Sequence, residues 1–126
     1  MLTATAPEVR AEDAASVLAK ATLSAARRLG LTNRDLAVVL GASEASVSRL
    51  ARDRALRPGS AETSLALLFV RLFRSLDAIT GGDEAKARAW FTAFNRHLGG
   101  APAERIRSTE GLVNVVQYLD AIRGKL

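Results

Sequence analysis

Asn33–Arg52 reads NRDLAVVLGASEASVSRLAR, and its spacing predicts two short helices joined by a tight turn. Thr32 suits the N-cap of the first helix, and Asp35, three residues on, can return the contact in the capping-box spacing. Leu36, Ala37 and Leu40 then share one apolar face. Gly41 follows where the chain must enter the left-handed region to stop the helix. Ser43 is placed to cap the second helix, and Glu44 sits in its first turn, where negative charge complements the helix dipole. Val47 and Leu50 fall on its inward face. Ala37 is small at the point where the second helix must cross the first.

The outward positions of that second helix are Ser43, Glu44, Ala45, Ser48, Arg49 and Arg52. An arginine can pair bidentately with guanine, and serine hydroxyls suit phosphates or base edges. Arg54 and Arg57 carry positive charge past the helix end, with Asp53 the lone acid among them, in the pattern of a phosphate footprint. Caps, small residue, turn glycine and inward valine together resemble the helix-turn-helix of Xre and phage-repressor-like regulators. The resemblance implies binding to operator DNA, with the second helix in the major groove. The competing reading is an ordinary αα-hairpin whose basic face is merely solvated.

Composition sets the frame around this motif. A chain of 126 residues suits one compact domain, or a small domain with a helical extension. Hydrophobic residues make up 48% and aromatics only 5%, with alanine abundant, which favours an all-α fold of closely packed helices. The formal charge of +5 is compatible with nucleic acid but divides almost evenly between the halves, so the basic character is local to the motif. Cysteine is absent, which excludes disulfides, thiolate metal sites and thiol catalysis. No apolar run approaches the roughly 18 residues of a membrane span. The opening MLTATAPEVRAEDAAS lacks the basic flank and apolar block of a signal peptide, so the expected location is cytoplasmic, with no membrane partner.

Along the chain, residues 1–10 are expected to form a flexible tail, residues 11–60 the helix-turn-helix region, and residues 61–126 a second helical domain, with Pro58-Gly59 as the boundary turn. Val17, Leu18, Ala21, Ala25 and Leu29 predict a bracing helix from about Glu12 to Leu29, ended by Gly30. From Glu62 to Thr80, Leu65, Leu68, Phe69, Leu72, Leu76 and Ile79 line one face, and Leu67, Val70 and Phe73 widen it. A stripe that broad predicts either a homodimer contact or a helix sunk between two layers. Asp83 to about Phe94 reads as a further helix, with Trp90 and Phe94 one turn apart. Pro102 opens a short turn through Ile106. Glu110–Arg123 reads as the last helix, with Leu112, Val115, Val116, Leu119 and Ile122 inward.

The C-terminal stretch carries a second resemblance. AWFTAFNRHLGG (Ala89–Gly100), PAERI (Pro102–Ile106) and EGLVNVVQYLDAIRG (Glu110–Gly124) look like the toxin-binding domain of Xre/MbcA/ParS antitoxins. The resemblance runs from about Glu12 to the end and is most specific in the order Trp, Asn-Arg, Leu-Gly-Gly, Pro, Glu-Gly. In that family a proline often precedes the asparagine, where this chain has Phe94. What the resemblance implies is a RES-domain toxin as partner, an enzyme that consumes NAD or transfers ADP-ribose from it. It further implies that the chain blocks the NAD site and, with the toxin, represses their shared promoter. From the residues alone, two polar regions flank an apolar helix pair: Asn95, Arg96, Gly99 and Gly100 form one, and Arg123, Lys125 and Leu126 the other. Gly99-Gly100 permits close backbone approach, and Arg123 or Lys125 suits an anionic nucleotide pocket. A simple turn and a solvated helix end are the plain alternatives.

Catalysis is not expected. His97 is the only histidine, and nothing in the spacing brings Glu104 or Asp120 to it as orienting partner. No phosphate loop, dinucleotide fingerprint or HExxH pattern occurs. Asp83-Glu84 reads as a helix start, not a metal site. No cofactor is expected. A stand-alone dimeric helix-turn-helix regulator, whose C-terminal half only dimerises, is the alternative to an antitoxin.

Overall fold

Thr32 and Asp35 form the reciprocal cap that their spacing predicts. The Asp35 backbone N–H donates to Thr32 Oγ1 at 3.1 Å, and the Thr32 N–H donates to Asp35 Oδ2 at 3.1 Å. A computed structural model describes residues 11–53 and 56–125; of these, the side chains of residues 11 and 12 are excepted. The tail expected over residues 1–10, together with Arg54 and Leu126, lies outside the described residues. Seven helices occur among them: α1 (Ala11–Arg28), α2 (Asn33–Leu40), α3 (Glu44–Asp53), α4 (Ala61–Ile79), α5 (Glu84–Thr92), α6 (Pro102–Arg105) and α7 (Thr109–Arg123). The described residues contain no strand, only an isolated antiparallel bridge between Asn95 and Gly100. The fold is all-α.

Gly41 ends α2 at φ 65°, a conformation costly for any residue with a Cβ, and turns the chain into α3. Val47 and Leu50 of α3 are buried against α2, where Ala37 is also buried. Arg57-Pro58-Gly59-Ser60 then forms a turn closed by the Ser60 N–H donating to the Arg57 carbonyl at 3.2 Å. Ser60 caps α4 through the Thr63 N–H.

The central α4 packs against α7 most extensively, and against α1 and α2 on its other sides. Ala66, Phe69, Leu72 and Leu76 are fully buried in it. This explains the broad apolar stripe: the helix is sunk between layers. Val70 is buried, and Phe73 lies beneath the Arg28 guanidinium, 4.8 Å from the ring centroid. Only Leu67, of the three residues that widen the stripe, remains largely exposed, at 56%. One contiguous core runs from Ala19 of α1 to Leu119 of α7.

Two expectations need correction. The buried face of α1 consists of Ala19, Thr22, Ala25, Ala26 and Leu29, while Val17 is 65% exposed. Small side chains face inward because they let α1 approach its neighbours closely, and Thr22 satisfies its hydroxyl on the Leu18 carbonyl at 2.7 Å. The helix begun at Asp83 also stops at Thr92, with Ala93 already extended. Phe94 therefore does not sit one helical turn above Trp90. Trp90 stacks instead on Tyr118 of α7, with centroids 6.3 Å apart and planes 14° from parallel.

The two sequence regions are joined by arginines from the C-terminal part. Arg88 of α5 donates through Nε to the Arg28 carbonyl (2.8 Å) and through Nη2 to the Arg27 carbonyl (3.0 Å), satisfying the exposed end of α1. Arg107 reaches the Asp35 carboxylate at 3.7 Å. Hydrogen bonds from the Thr32 backbone N–H and then its hydroxyl hold the Asp35 carboxyl below the ordinary aspartate range, with a smaller contribution from Arg107.

Candidate functional site

The surface of α3 is assembled by its own cap. Ser43 Oγ accepts the Ser46 N–H at 3.1 Å, and the Val47 N–H donates to the Ser43 carbonyl, which starts the helix at Glu44. With Val47 and Leu50 held inward, Glu44, Ala45, Ser48, Arg49 and Arg52 all stand exposed on the opposite side, and Ser43 is exposed at its start. Arg57 is exposed beyond the end of the helix. Arg49 and Arg57 line one open cleft, with Ser43 and Ser60 on its walls. Cations and hydroxyls, the groups suited to a phosphate backbone and groove edges, are gathered at this helix end, with Asp53 and Glu62 also on the cleft.

Ser46 is a residue that the sequence reading passed over. Its hydroxyl accepts from Ser43 Oγ at 2.9 Å and from Arg49 Nη2 at 3.1 Å. It therefore links the cap to the guanidinium and gives Arg49 a preferred direction. The signal was available in the i, i+3 spacing of Ser43, Ser46 and Arg49, which places all three on one edge of the helix.

The second candidate region divides differently. Asn95 and Gly100 are occupied in building their own turn. The Asn95 N–H donates to the Gly100 carbonyl (3.1 Å), the Gly99 N–H donates to the Asn95 carbonyl (2.9 Å), and Asn95 Oδ1 accepts the Leu98 N–H (3.1 Å). Gly100 is buried, whereas Arg96 and Gly99 are exposed. His97 packs its ring 5.6 Å from that of Tyr118, and Asp120 is held by Arg71 at 2.6 Å and by Ser75 at 3.3 Å. At the end of α7, Arg123 and Lys125 are exposed. Arg123 Nη1 lies 3.4 Å from Ser75 Oγ, which ties this end of α7 to α4.

Gly111 has a role that only the tertiary structure reveals. It lies in the first turn of α7, and its N–H donates to the capping Ser108 Oγ at 3.1 Å. A Cβ built on it would collide with the carbonyl group of Arg105, lying 2.7 Å from the carbonyl carbon. The close approach sets the angle between α6 and α7, and with it the position of the surface they carry.

Comparison with known proteins gives two matches. A family model described as Antitoxin Xre-like helix-turn-helix domain matches residues 8–71, just over half of the chain. A second, described as Antitoxin Xre/MbcA/ParS C-terminal toxin-binding domain, matches residues 75–125. The two matches meet inside α4. No match was found among curated proteins. Among the described residues, no helix is long and apolar enough to cross a membrane.

Proposed function

Because the chain belongs to the Xre/MbcA/ParS antitoxins, we propose that it neutralises a RES-domain toxin by occupying that enzyme's NAD site and represses the shared promoter through α3. The observation that carries the first half is the end of α7. Arg123 and Lys125 stand exposed there, within the region matching the toxin-binding domain and beyond Leu119, a fully buried residue. An inhibitor of this kind needs no chemistry of its own; filling the pocket excludes the nucleotide. The proposed place of action is the cytoplasm, where toxin and operator meet.

Removal of Arg123–Leu126 is expected to leave the core and operator binding intact while toxicity returns in cells producing both proteins. Growth equal to that with the full chain would place inhibition elsewhere. Failure of the wild-type chain to copurify with the product of an adjacent RES-type reading frame would favour a stand-alone dimeric regulator.

Operator recognition is proposed for Ser43, Glu44, Ala45, Ser48, Arg49, Arg52, Arg54 and Arg57. Operators for such motifs are usually two-fold, with half-sites about 34–36 Å apart, so the proposed binding form is a homodimer. Arg49→Ala is expected to cost about 1–3 kcal/mol on the operator and to relax discrimination at one base pair. Arg57→Ala should instead weaken all duplexes alike and lower the salt slope by about one. Gel-shift titrations across salt concentrations separate the two effects. Equal affinity of the wild type for operator and random duplex would refute the proposal.

A further inference from the structure

Aromatic residues are scarce in this chain, with four Phe, one Trp and one Tyr. Phe69 and Phe91 are fully buried in the core. Trp90 and Tyr118 are half-buried and stacked, and His97 of the Asn95–Gly100 turn packs on the same Tyr118 ring. Phe94, immediately before that turn, is 73% exposed. A phenylalanine so exposed adds little to folding, because most of its apolar surface stays in water. The same surface becomes a large favourable contribution when a partner covers it.

Arg105 lies against the turn at Gly100. Its stem packs near Gly100: a Cβ built there would be in ordinary van der Waals contact, 3.4 Å from Arg105 Cδ. Arg105 is half-buried, and its Nε is buried with no hydrogen-bond acceptor. The buried Nε is out of a docking partner's reach, but the terminal Nη groups are not buried and make no ion pair among the described residues, and a carboxylate is the acceptor best matched to them.

We propose that the Asn95–Gly100 turn is the energetic centre of the toxin-docking face, with Phe94 covered by an apolar surface of the toxin and Arg105 paired with one of its carboxylates. The inference rests on the antitoxin reading and is continuous with the region that matches a toxin-binding domain. It adds an anchor remote in sequence from the Arg123–Leu126 end.

The test measures Phe94→Ser and Arg105→Leu in the full chain against a purified RES-domain toxin that the wild-type chain copurifies with, by titration calorimetry. Operator binding and thermal unfolding serve as controls. Phe94→Ser is expected to leave Tm and operator affinity unchanged and to weaken toxin binding at least about tenfold. Arg105→Leu deletes an unpaired buried donor, so Tm should hold or rise while toxin affinity falls. A structural role alone cannot produce that opposite movement. Wild-type toxin affinity in both variants would overturn this inference and leave the antitoxin reading standing. Absence of binding by the wild type would overturn the antitoxin reading first. A lower Tm for Arg105→Leu, in proportion to lost binding, would make Arg105 a fold residue and remove its half of the proposal.

Discussion

Gly111→Ala is expected to destabilise the protein by roughly 2–5 kcal/mol, combining overpacking with strain on a helix cap. Helix propensity alone points the other way, since alanine within a helix is favoured over glycine by about 0.5–1 kcal/mol. The geometry decides the sign. The added methyl would overlap the Arg105 carbonyl oxygen and approach Ser108 Oγ to 3.0 Å. Both neighbours are fixed, the first as backbone of α6 and the second as the cap of α7. Relief requires α7 to move away from α6, and the methyl's crowding of Ser108 Oγ strains the bond that it accepts from the Gly111 N–H. Against a total stability of about 5–15 kcal/mol for an ordinary domain, a loss of this size is severe. Urea denaturation measures it as a drop in the transition midpoint. A variant as stable as the wild type, or more so, would show that α6 and α7 do not approach this closely.

Phe91→Ala is expected to cost about 3–5 kcal/mol, and to do so for the whole molecule. The side chain is fully buried on α5, inside the region that matches the toxin-binding domain. It also lies beneath a half-open surface pocket that it lines with Leu29 and Val39, at the seam with the helix-turn-helix part. A methyl in place of the ring leaves a new void in the core, and the surrounding helices relax only partly. Because a single core spans both regions, they should unfold together. Trp90, the only tryptophan, reports on the C-terminal part by fluorescence, while circular dichroism reports on all helices. Coincident transitions, shifted together in the variant, are expected, and operator binding should fail at the same denaturant concentration. A Trp90 transition that precedes loss of the remaining helices would instead show two independent units.

The helix-turn-helix was legible because every signal that specifies it is local. The Thr32–Asp35 box, Gly41 and the Ser43 cap act within four residues of themselves, and the inward Val47 and Leu50 follow from helical period alone. The exposed set from Glu44 to Arg52 follows from the same period. The order of motifs in the C-terminal stretch likewise pointed to the family that the comparisons show.

What periodicity did not decide was which of several apolar faces finds a partner. Val17 and Leu67 satisfy a helical stripe as well as Ala19 and Val70 do, yet only the latter two are covered. That choice depends on how closely helices approach, and so on small residues and on neighbours far away in the chain. Phe94 read as a continuation of α5, but the bridge between Asn95 and Gly100 ends the helix and leaves the ring in solvent. Nothing in the local spacing distinguishes Arg88, Arg105 and Arg107 from other surface cations. Tertiary packing set Arg88 on the end of α1, Arg107 near Asp35 and Arg105 against Gly100. Local sequence determined the helices, their caps and the exposed face of α3 that is proposed to meet DNA. Long-range packing alone decided where arginines with equal claims to solvent came to rest, because burial and charge pairing depend on distances that a linear spacing does not contain.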